Sequence, residues 1–215
     1  MIRGLFLGLL AACLLAAAPA RAGELDASRL ATEGLDTWEH RIFQGHTRYT
    51  LVNERGRRAI KAASQGAASG LWKKIAVDPE KHPLLRFSWK VETLPMGADG
   101  RKKEGDDYAA RVYVVFPGFF PWQTKALCYV WAARQPVGAA FPSPYTENAW
   151  IVVLQSGPAK AGSWQRQEVD FRADFKRLFK ESPPRVGAVA VMTDTDNTKS
   201  RATAYYGDIT LDTGK

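Results

Sequence analysis

The chain alternates short runs of β-branched, aromatic and other apolar residues with clusters of Gly, Pro, Asn and Asp. This pattern predicts β-strands separated by turns. Residues 49–52 and 58–63, joined by a polar turn at 53–56, are expected to form a hairpin. Further strands are predicted for residues 84–93, 108–116, 126–133, 150–155, 164–171, 186–192 and 202–211. Helical spacing is found only at residues 172–180, where Phe175, Leu178 and Phe179 lie on one side.

Eight or nine short strands with one minor helix predict an all-β fold. We expect an antiparallel β-sandwich with jelly-roll topology, the commonest way to arrange eight strands in two sheets. Parallel α/β winding requires a helix between successive strands, and the connections here are turns and irregular loops. Residues 23–215 are long enough for one such domain with a substantial core, and too short for two.

The first 22 residues predict an exported protein. A basic start at Met1–Arg3 precedes an uncharged apolar run over residues 4–18, and Ala20 and Ala22 then supply the small residues of an A-x-A cleavage site. This is the pattern of a secretory signal peptide, cleaved near Ala22 to give a periplasmic or secreted protein. Leu10-Ala-Ala-Cys13 also fits a lipoprotein box, but the apolar run continues past Cys13, so simple secretion is favoured. The run is shorter than the about 20 residues needed to span a bilayer, so no transmembrane segment is expected in the mature chain.

Charge and composition narrow the classes of partner. The chain carries 30 Lys+Arg against 22 Asp+Glu, a net charge of +8 that falls to +6 when Arg3 and Arg21 leave with the leader. The positive charges are dispersed and form no block of five or six, so nucleic acid is not an expected partner. Anionic envelope polymers or lipid head groups remain open as partners, beside the alternative of a solvated basic surface. Cys128 is the single cysteine after the leader and is interpreted as a buried small hydrophobe.

The common catalytic signatures are absent from the sequence. It contains no G-x-S-x-G elbow, no Walker loop and no G-x-G-x-x-G. Its three histidines, His40, His46 and His82, are scattered near the N-terminus without a metal-ligand spacing. A zinc site or a Ser-His-Asp triad is therefore not indicated.

A first candidate site lies in residues 106–116, which strand periodicity divides between two faces. The apolar face, expected in the core, consists of Tyr108, Ala110, Val112, Val114 and Phe116. The opposite face carries Asp107, Ala109, Arg111 and Tyr113. An arginine beside an aspartate and a tyrosine can bind a carboxylate, a phosphate or sugar hydroxyls. Trp131 is a candidate stacking platform beside them. The alternative is an internal Asp107–Arg111 ion pair that only braces the sheet.

A second candidate site follows the predicted strand 186–192. Asp194, Asp196 and Asn197 supply hard oxygen ligands of the kind that Ca²⁺ prefers, and Asp208 in the last strand can add another carboxylate. The alternatives are an Asx-rich turn and paired carboxylates for acid–base chemistry. Clustered carboxylates repel unless a cation lies among them. We therefore expect a structural Ca²⁺ or Arg111 in that place, which would join both motifs into one site.

Exposed aromatic residues are predicted after Gly118. The sequence Phe119-Phe-Pro-Trp122 falls in a predicted loop, whereas most of the other tryptophans lie in or beside predicted strands. Trp122 is therefore the best candidate for an exposed aromatic patch.

In combination, several strings resemble the bacterial family catalogued as domain of unknown function 3047. The likeness covers roughly residues 36–211 and rests on Phe87-Ser-Trp-Lys-Val-Glu92, Asp106-Asp-Tyr-Ala-Ala-Arg111, Tyr129-Val-Trp131, Trp164, Asp194-Thr-Asp-Asn197 and Tyr206-Gly-Asp-Ile209. The resemblance implies a bacterial, exported, single-domain protein with no established activity. It also implies a jelly roll similar to the galactose-binding type, an analogy of fold that does not assign function.

Three functions are consistent with these features. We favour a non-catalytic binding protein for a glycan or another polyhydroxy or anionic envelope component, with Asp107, Arg111, Tyr113 and Trp131 as ligand-binding residues. The first alternative is a hydrolase or lyase that uses paired aspartates with Arg111 as charge stabiliser. The second is a protein-interaction module anchored by Trp122. A deep pocket, a shallow aromatic groove and an apolar patch at Trp122 are their respective structural signatures.

Overall fold

The computed structural model describes residues 23–214. The predicted leader, including the cleavage site at Ala22 and the alternative lipid attachment site at Cys13, lies outside the described residues. The helix α1 spans Phe171–Phe179. The strands are β1 (Leu25–Asp26), β2 (Glu39–Gln44), β3 (Arg48–Glu54), β4 (Arg57–Gln65), β5 (Ala68–Val77), β6 (Leu84–Thr93), β7 (Ala110–Phe116), β8 (Lys125–Ala132), β9 (Ala140–Ser143), β10 (Thr146–Ser156), β11 (Gln165–Asp170), β12 (Val186–Asp194) and β13 (Arg201–Asp212).

These strands form two sheets. The six-stranded sheet has the order β11-β6-β13-β4-β3, with β1 added on β13, and the seven-stranded sheet has the order β2-β5-β12-β7-β8-β10-β9. The prediction of an all-β jelly-roll sandwich with one short helix is confirmed. One pair departs from the antiparallel expectation, because β8 and β10 run parallel. The short strand β9 lies between them in sequence and runs antiparallel to β10 at the sheet edge. The chain therefore reverses at β9, and β10 then runs in the same direction as β8.

Local sequence explains the predicted hairpin. In the β3–β4 turn, Arg55 and Gly56 both have positive φ, 53° and 80°, and Glu54 is paired with Arg57. Two successive residues with positive φ give the primed turn whose twist matches that of antiparallel strands. The hairpin is therefore closed by a two-residue loop.

The core lies between the sheets. Alternate residues of β7 point inward, and Val112, Val114 and Phe116 are buried against residues such as Trp89 of the other sheet. The helix α1 closes one end, where the rings of Phe116 and Phe175 lie 4.5 Å apart between centroids. Asp170 caps α1 by accepting a hydrogen bond from the backbone N–H of Ala173 at 2.8 Å.

A second apolar layer covers part of the outer face of the seven-stranded sheet. It contains Cys128, Val130, Ile151 and Val153, and Tyr108 packs on it from the loop before β7. Burial raises the pKa of the Cys128 thiol to about 12, in agreement with a structural role. Side chains on this face near Tyr108 are therefore shielded from water. In residues 23–214, no helix has the length and apolar character needed to cross a bilayer.

Candidate functional site

Arg111 lies on the outer face of β7 and is buried. Its Nε donates to Asp194 Oδ1 at 2.8 Å, and a second guanidinium nitrogen donates to Asp194 Oδ2. The guanidinium also contacts the carboxylate of Asp106 at 3.4 Å, and the Tyr108 ring lies 4.3 Å from its central carbon. The two sequence motifs therefore meet at one site, as predicted. The expected first partner was wrong, because Arg111 pairs with Asp194 and Asp106 instead of Asp107.

Asp107 supports a turn and does not share the face of Arg111. The strand begins at Ala110, so the strand periodicity does not extend back to residue 107. Its carboxylate accepts hydrogen bonds from the backbone N–H groups of Asn197 at 3.1 Å and Thr198 at 2.7 Å. Asp107 thereby fixes the turn that follows β12. Ala109, assigned to the same face, lies in the core between the sheets.

Asp194 and Asp106 contact Arg111, and two further carboxylates lie near Asp194. One oxygen each from Asp107, Asp194 and Asp196 lie within 4.8 Å of one another, and Asp106 contacts the guanidinium from another side. Burial raises the pKa of Asp194 to about 7, although the adjacent Arg111 opposes the shift. Burial also raises the pKa of Asp106 and, with the charge of Asp107, that of Asp196. Arg111 thus supplies the positive charge that the sequence motif requires.

The proposed set of metal ligands is only partly assembled. Asp208 lies on β13 in the other sheet, where burial and the charge of Asp26 raise its pKa and Arg57 opposes the shift. Its inclusion was wrong, because β13 pairs with strands of the six-stranded sheet and not with β12. Asn197 is beside the cluster, but its side-chain amide donates to the Tyr145 hydroxyl at 3.0 Å. Both oxygens of Asp194 are engaged by Arg111, and a structural Ca²⁺ here stays a prediction.

Tyr113 lies beside Arg111, on the face predicted for it, whereas Trp131 has a different environment from the one expected. Tyr113 accepts a hydrogen bond from Arg111 at 3.4 Å, and its half-buried ring stacks on Trp72. Trp131 is opposite Ala110 in the sheet and shares its inward face. It is fully buried, and its Nε1 donates to the Gly157 carbonyl at 3.0 Å. The expectation that Trp131 offers a stacking surface was therefore wrong.

The exposed aromatic residues lie at the end of the sandwich closed by α1. The Phe119 and Trp122 side chains, in the loop between β7 and β8, are 91% and 70% exposed. The Phe120 ring is parallel to that of Trp122, with 4.6 Å between centroids and 4° between planes. The same ring is perpendicular to Phe119, at 4.8 Å and 89°. The loop thus presents two exposed rings at nearly a right angle.

Hydrogen bonds fix this loop. The side-chain oxygen of Gln123 accepts from the Phe120 N–H at 3.1 Å. The side-chain amide of Asn148, on β10, donates to the Trp122 carbonyl at 2.8 Å. Gly118 is required where it stands, because a Cβ there would lie 2.4 Å from Gln123. The backbone that carries the rings is therefore held in place before any ligand arrives.

Beside the rings is a cleft of about 470 Å³, within the usual size range of ligand sites. We call it the aromatic cleft. Its lining residues are Phe116, Pro117, Gly118, Phe119, Trp122, Gln123, Lys125, Asn148, Glu181 and Pro184. Sequence analysis found Trp122 from its place after Gly118. It missed Asn148 and Glu181, because they reach the cleft from β10 and from the segment after α1.

A sequence model of the family described as "Protein of unknown function (DUF3047)" matches residues 36–210. The chain belongs to this family. The resemblance inferred from the sequence motifs is thereby confirmed for this DUF3047 protein. No curated protein matches it significantly.

Several solved structures resemble the DUF3047 protein. The carbohydrate recognition domain of Emp47p is 11% identical, with a TM-score of 0.47 and coverage of 91% of this chain and 97% of that one. A thermostable cellulase derived from Cel12A of Rhodothermus marinus is 10% identical, with a TM-score of 0.45 and coverage of 86% and 96%. The glycoside hydrolase domain of Endo-D from Streptococcus pneumoniae is 13% identical, with a TM-score of 0.41, and the match covers 82% of this chain and 22% of that one. These likenesses concern the fold and assign neither an activity nor a ligand.

Proposed function

We propose that this DUF3047 protein is exported and binds a glycan, or a related polyhydroxy component of the cell envelope, without transforming it. The observation that carries the proposal is the aromatic cleft, in which exposed Trp122 and Phe119 stand beside hydrogen-bonding side chains. The proposal moves the ligand contact away from Arg111 and Trp131. Both of those side chains are buried and already have partners within the protein.

The chemistry of the cleft matches that of a sugar. A pyranose ring has flat faces of C–H groups and a rim of hydroxyls, so it needs an apolar flat surface with donors and acceptors at its edge. The Trp122 ring supplies the flat surface and is kept in position by the parallel ring of Phe120. Gln123, Lys125, Asn148 and Glu181 supply polar groups around it. Because the loop is already ordered, little conformational entropy is lost on binding.

The hydrolase alternative rests on a different observation. Asp106, Asp194 and Asp196 have raised pKa values in one cluster, which is a common property of catalytic carboxylates. However, Asp194 is buried and both of its oxygens are bonded to Arg111, so substrate access is limited to the half-buried Asp196. Incubation of bound glycans with the protein tests this alternative. Cleavage that disappears in Asp196→Asn would establish it in place of a binding function.

The proposed export predicts the residue at which the mature protein begins. The basic start, the apolar run and the A-x-A residues at Ala20 and Ala22 are expected to give cleavage after Ala22. Intact-mass measurement of protein recovered from outside the cytoplasm should show a chain that begins at Gly23. A lipidated N-terminus at Cys13 would contradict simple secretion.

Glycan binding is expected to depend on Trp122. On a glycan array, the mature protein should bind a restricted set of glycans, and Trp122→Ala should weaken binding at least about tenfold by removing the stacking surface. The matched control is Met96→Ala, because Met96 is also an exposed apolar residue, at 82%, but lies outside the cleft.

The array also separates the competing interpretations. Retention of glycan binding by Trp122→Ala would exclude the cleft as the contact surface. If no glycan binds, and capture of an envelope protein depends on Trp122, the interaction-module alternative replaces the glycan proposal.

A further inference from the structure

The two exposed rings that line the aromatic cleft differ in orientation. Phe120 is parallel to Trp122 and perpendicular to Phe119, so the planes of Trp122 and Phe119 are themselves nearly perpendicular. A sugar ring that stacks on Trp122 is therefore not parallel to the Phe119 ring, so a contact with Phe119 involves the substituents at the edge of the sugar. In a simple hexose that edge consists of hydroxyl groups.

A hydroxyl pressed against an aromatic ring loses water without gaining a full hydrogen bond. Such burial of an unpaired polar group is costly. An apolar substituent at the same position gains from the contact instead. A cleft lined by both Phe119 and Trp122 therefore favours a sugar that carries a methyl-bearing substituent on its rim.

The polar side chains of the cleft point to the nature of that substituent. Gln123 uses its side-chain oxygen to accept from the Phe120 N–H. Within residues 23–214, its NH₂ group has no hydrogen-bond partner in the structure and remains a donor. Asn148 uses its NH₂ group to donate to the Trp122 carbonyl, and its oxygen remains an acceptor within the same described part of the chain. One donor and one acceptor are the complement of an amide group.

The charge of the cleft lining is balanced. Lys125 and Glu181 are the charged residues among those that line it, and their side chains form an ion pair at 2.6 Å. An ionised ligand would have to compete with this pair. The lining thus favours an uncharged sugar.

We propose that the aromatic cleft recognises a sugar that carries an acetamido group, that is, an N-acetylated amino sugar. The methyl of the acetamido group packs against an aromatic ring, and its C=O and N–H are matched by the free donor of Gln123 and the free acceptor of Asn148. This inference rests on the proposed function and names its ligand class.

The test compares two ligands that differ in this group. Chito-oligosaccharides and cello-oligosaccharides of equal length share the same β-1,4 linkage, and only the former carry acetamido groups. Titration calorimetry with the mature protein should show at least about tenfold tighter binding of the N-acetylated chain, from two hydrogen bonds and a methyl contact. Equal or tighter binding of the cello-oligosaccharide would overturn the inference and leave the proposed function intact. Binding of neither oligosaccharide, with another glycan bound on the array, would overturn the inference alone, and binding of no glycan in either experiment would overturn both.

Phe119→Ala provides an independent measurement. The Phe119 side chain is almost fully exposed, so its removal should leave the fold unchanged, which circular dichroism checks. The preference for the N-acetylated chain should fall to about threefold or less as the methyl contact is lost, whereas Met96→Ala should keep the full preference. An undiminished preference in Phe119→Ala would contradict the proposed geometry.

A methylated sugar without an amide, such as a 6-deoxyhexose, should bind more weakly than the N-acetylated sugar, and equal binding would reduce the inference to the methyl group alone.

Discussion

Arg111→Ala is expected to lower the free energy of unfolding by about 3–5 kcal/mol. The guanidinium forms a bidentate pair with Asp194 and contacts Asp106, and all three residues are buried. Removal of Arg111 leaves two carboxylates without the cation that compensates them in a site shielded from water. Urea denaturation of the mature protein measures the loss.

The double variant Arg111→Met with Asp194→Leu serves as the control for this prediction. It removes the Arg111–Asp194 pair and leaves Asp106 as the buried carboxylate that loses its cation, so it should recover part of the stability that the single variant loses. A loss below about 1 kcal/mol in Arg111→Ala, with the fold intact, would show that the ion pair is exposed and of little structural weight.

Trp131→Ala is expected to cost about 3–5 kcal/mol of unfolding free energy. The side chain is fully buried between the sheets, 6.1 Å from Trp89 between ring centroids. Its indole N–H also satisfies the Gly157 carbonyl. The substitution therefore creates a large cavity and removes a buried hydrogen bond, which denaturant titration will register as a lower midpoint.

Trp122→Ala is the matched control for the Trp131 prediction. Because the Trp122 side chain is largely exposed, its removal should change the unfolding free energy by about 0.5 kcal/mol or less. Similar losses of unfolding free energy for the two variants, or an unchanged unfolding free energy in Trp131→Ala, would contradict the assignment of Trp131 to the core and Trp122 to the surface.

Strands with regular alternation could be predicted from sequence alone. The predicted segment 84–93 coincides with β6, and the predicted hairpin corresponds to β3 and β4. The strand β5, second from the edge of the seven-stranded sheet, was missed, because Ala68-Ser-Gly lacks β-branched residues and two lysines interrupt its apolar part. Gly70 has a packing reason that the sequence does not reveal: the Trp72 ring occupies the space where a Cβ would stand.

The candidate site could likewise be predicted only in part from the sequence. That Arg111 needs a carboxylate partner followed from its place in an apolar strand, but the choice of Asp194 depends on pairing between β7 and β12, which are far apart in the chain. Asp107 was assigned to the wrong face because β7 begins at Ala110, three residues later, so the alternation of a strand does not apply to residue 107. Trp131 was misassigned because its inward direction is set by pairing with Ala110 and cannot be read from an uninterrupted apolar run.

The claim that the aromatic cleft is the binding surface is tested most directly by one titration series. The array-selected glycan is titrated by calorimetry into the mature protein, Trp122→Ala and Asp196→Asn. The cleft predicts that Trp122→Ala loses at least about tenfold in affinity, while Asp196→Asn, beside the buried ion-pair cluster, binds like the unmodified protein. Loss of binding in Asp196→Asn with normal binding by Trp122→Ala would contradict it and place the ligand at the carboxylates around Arg111.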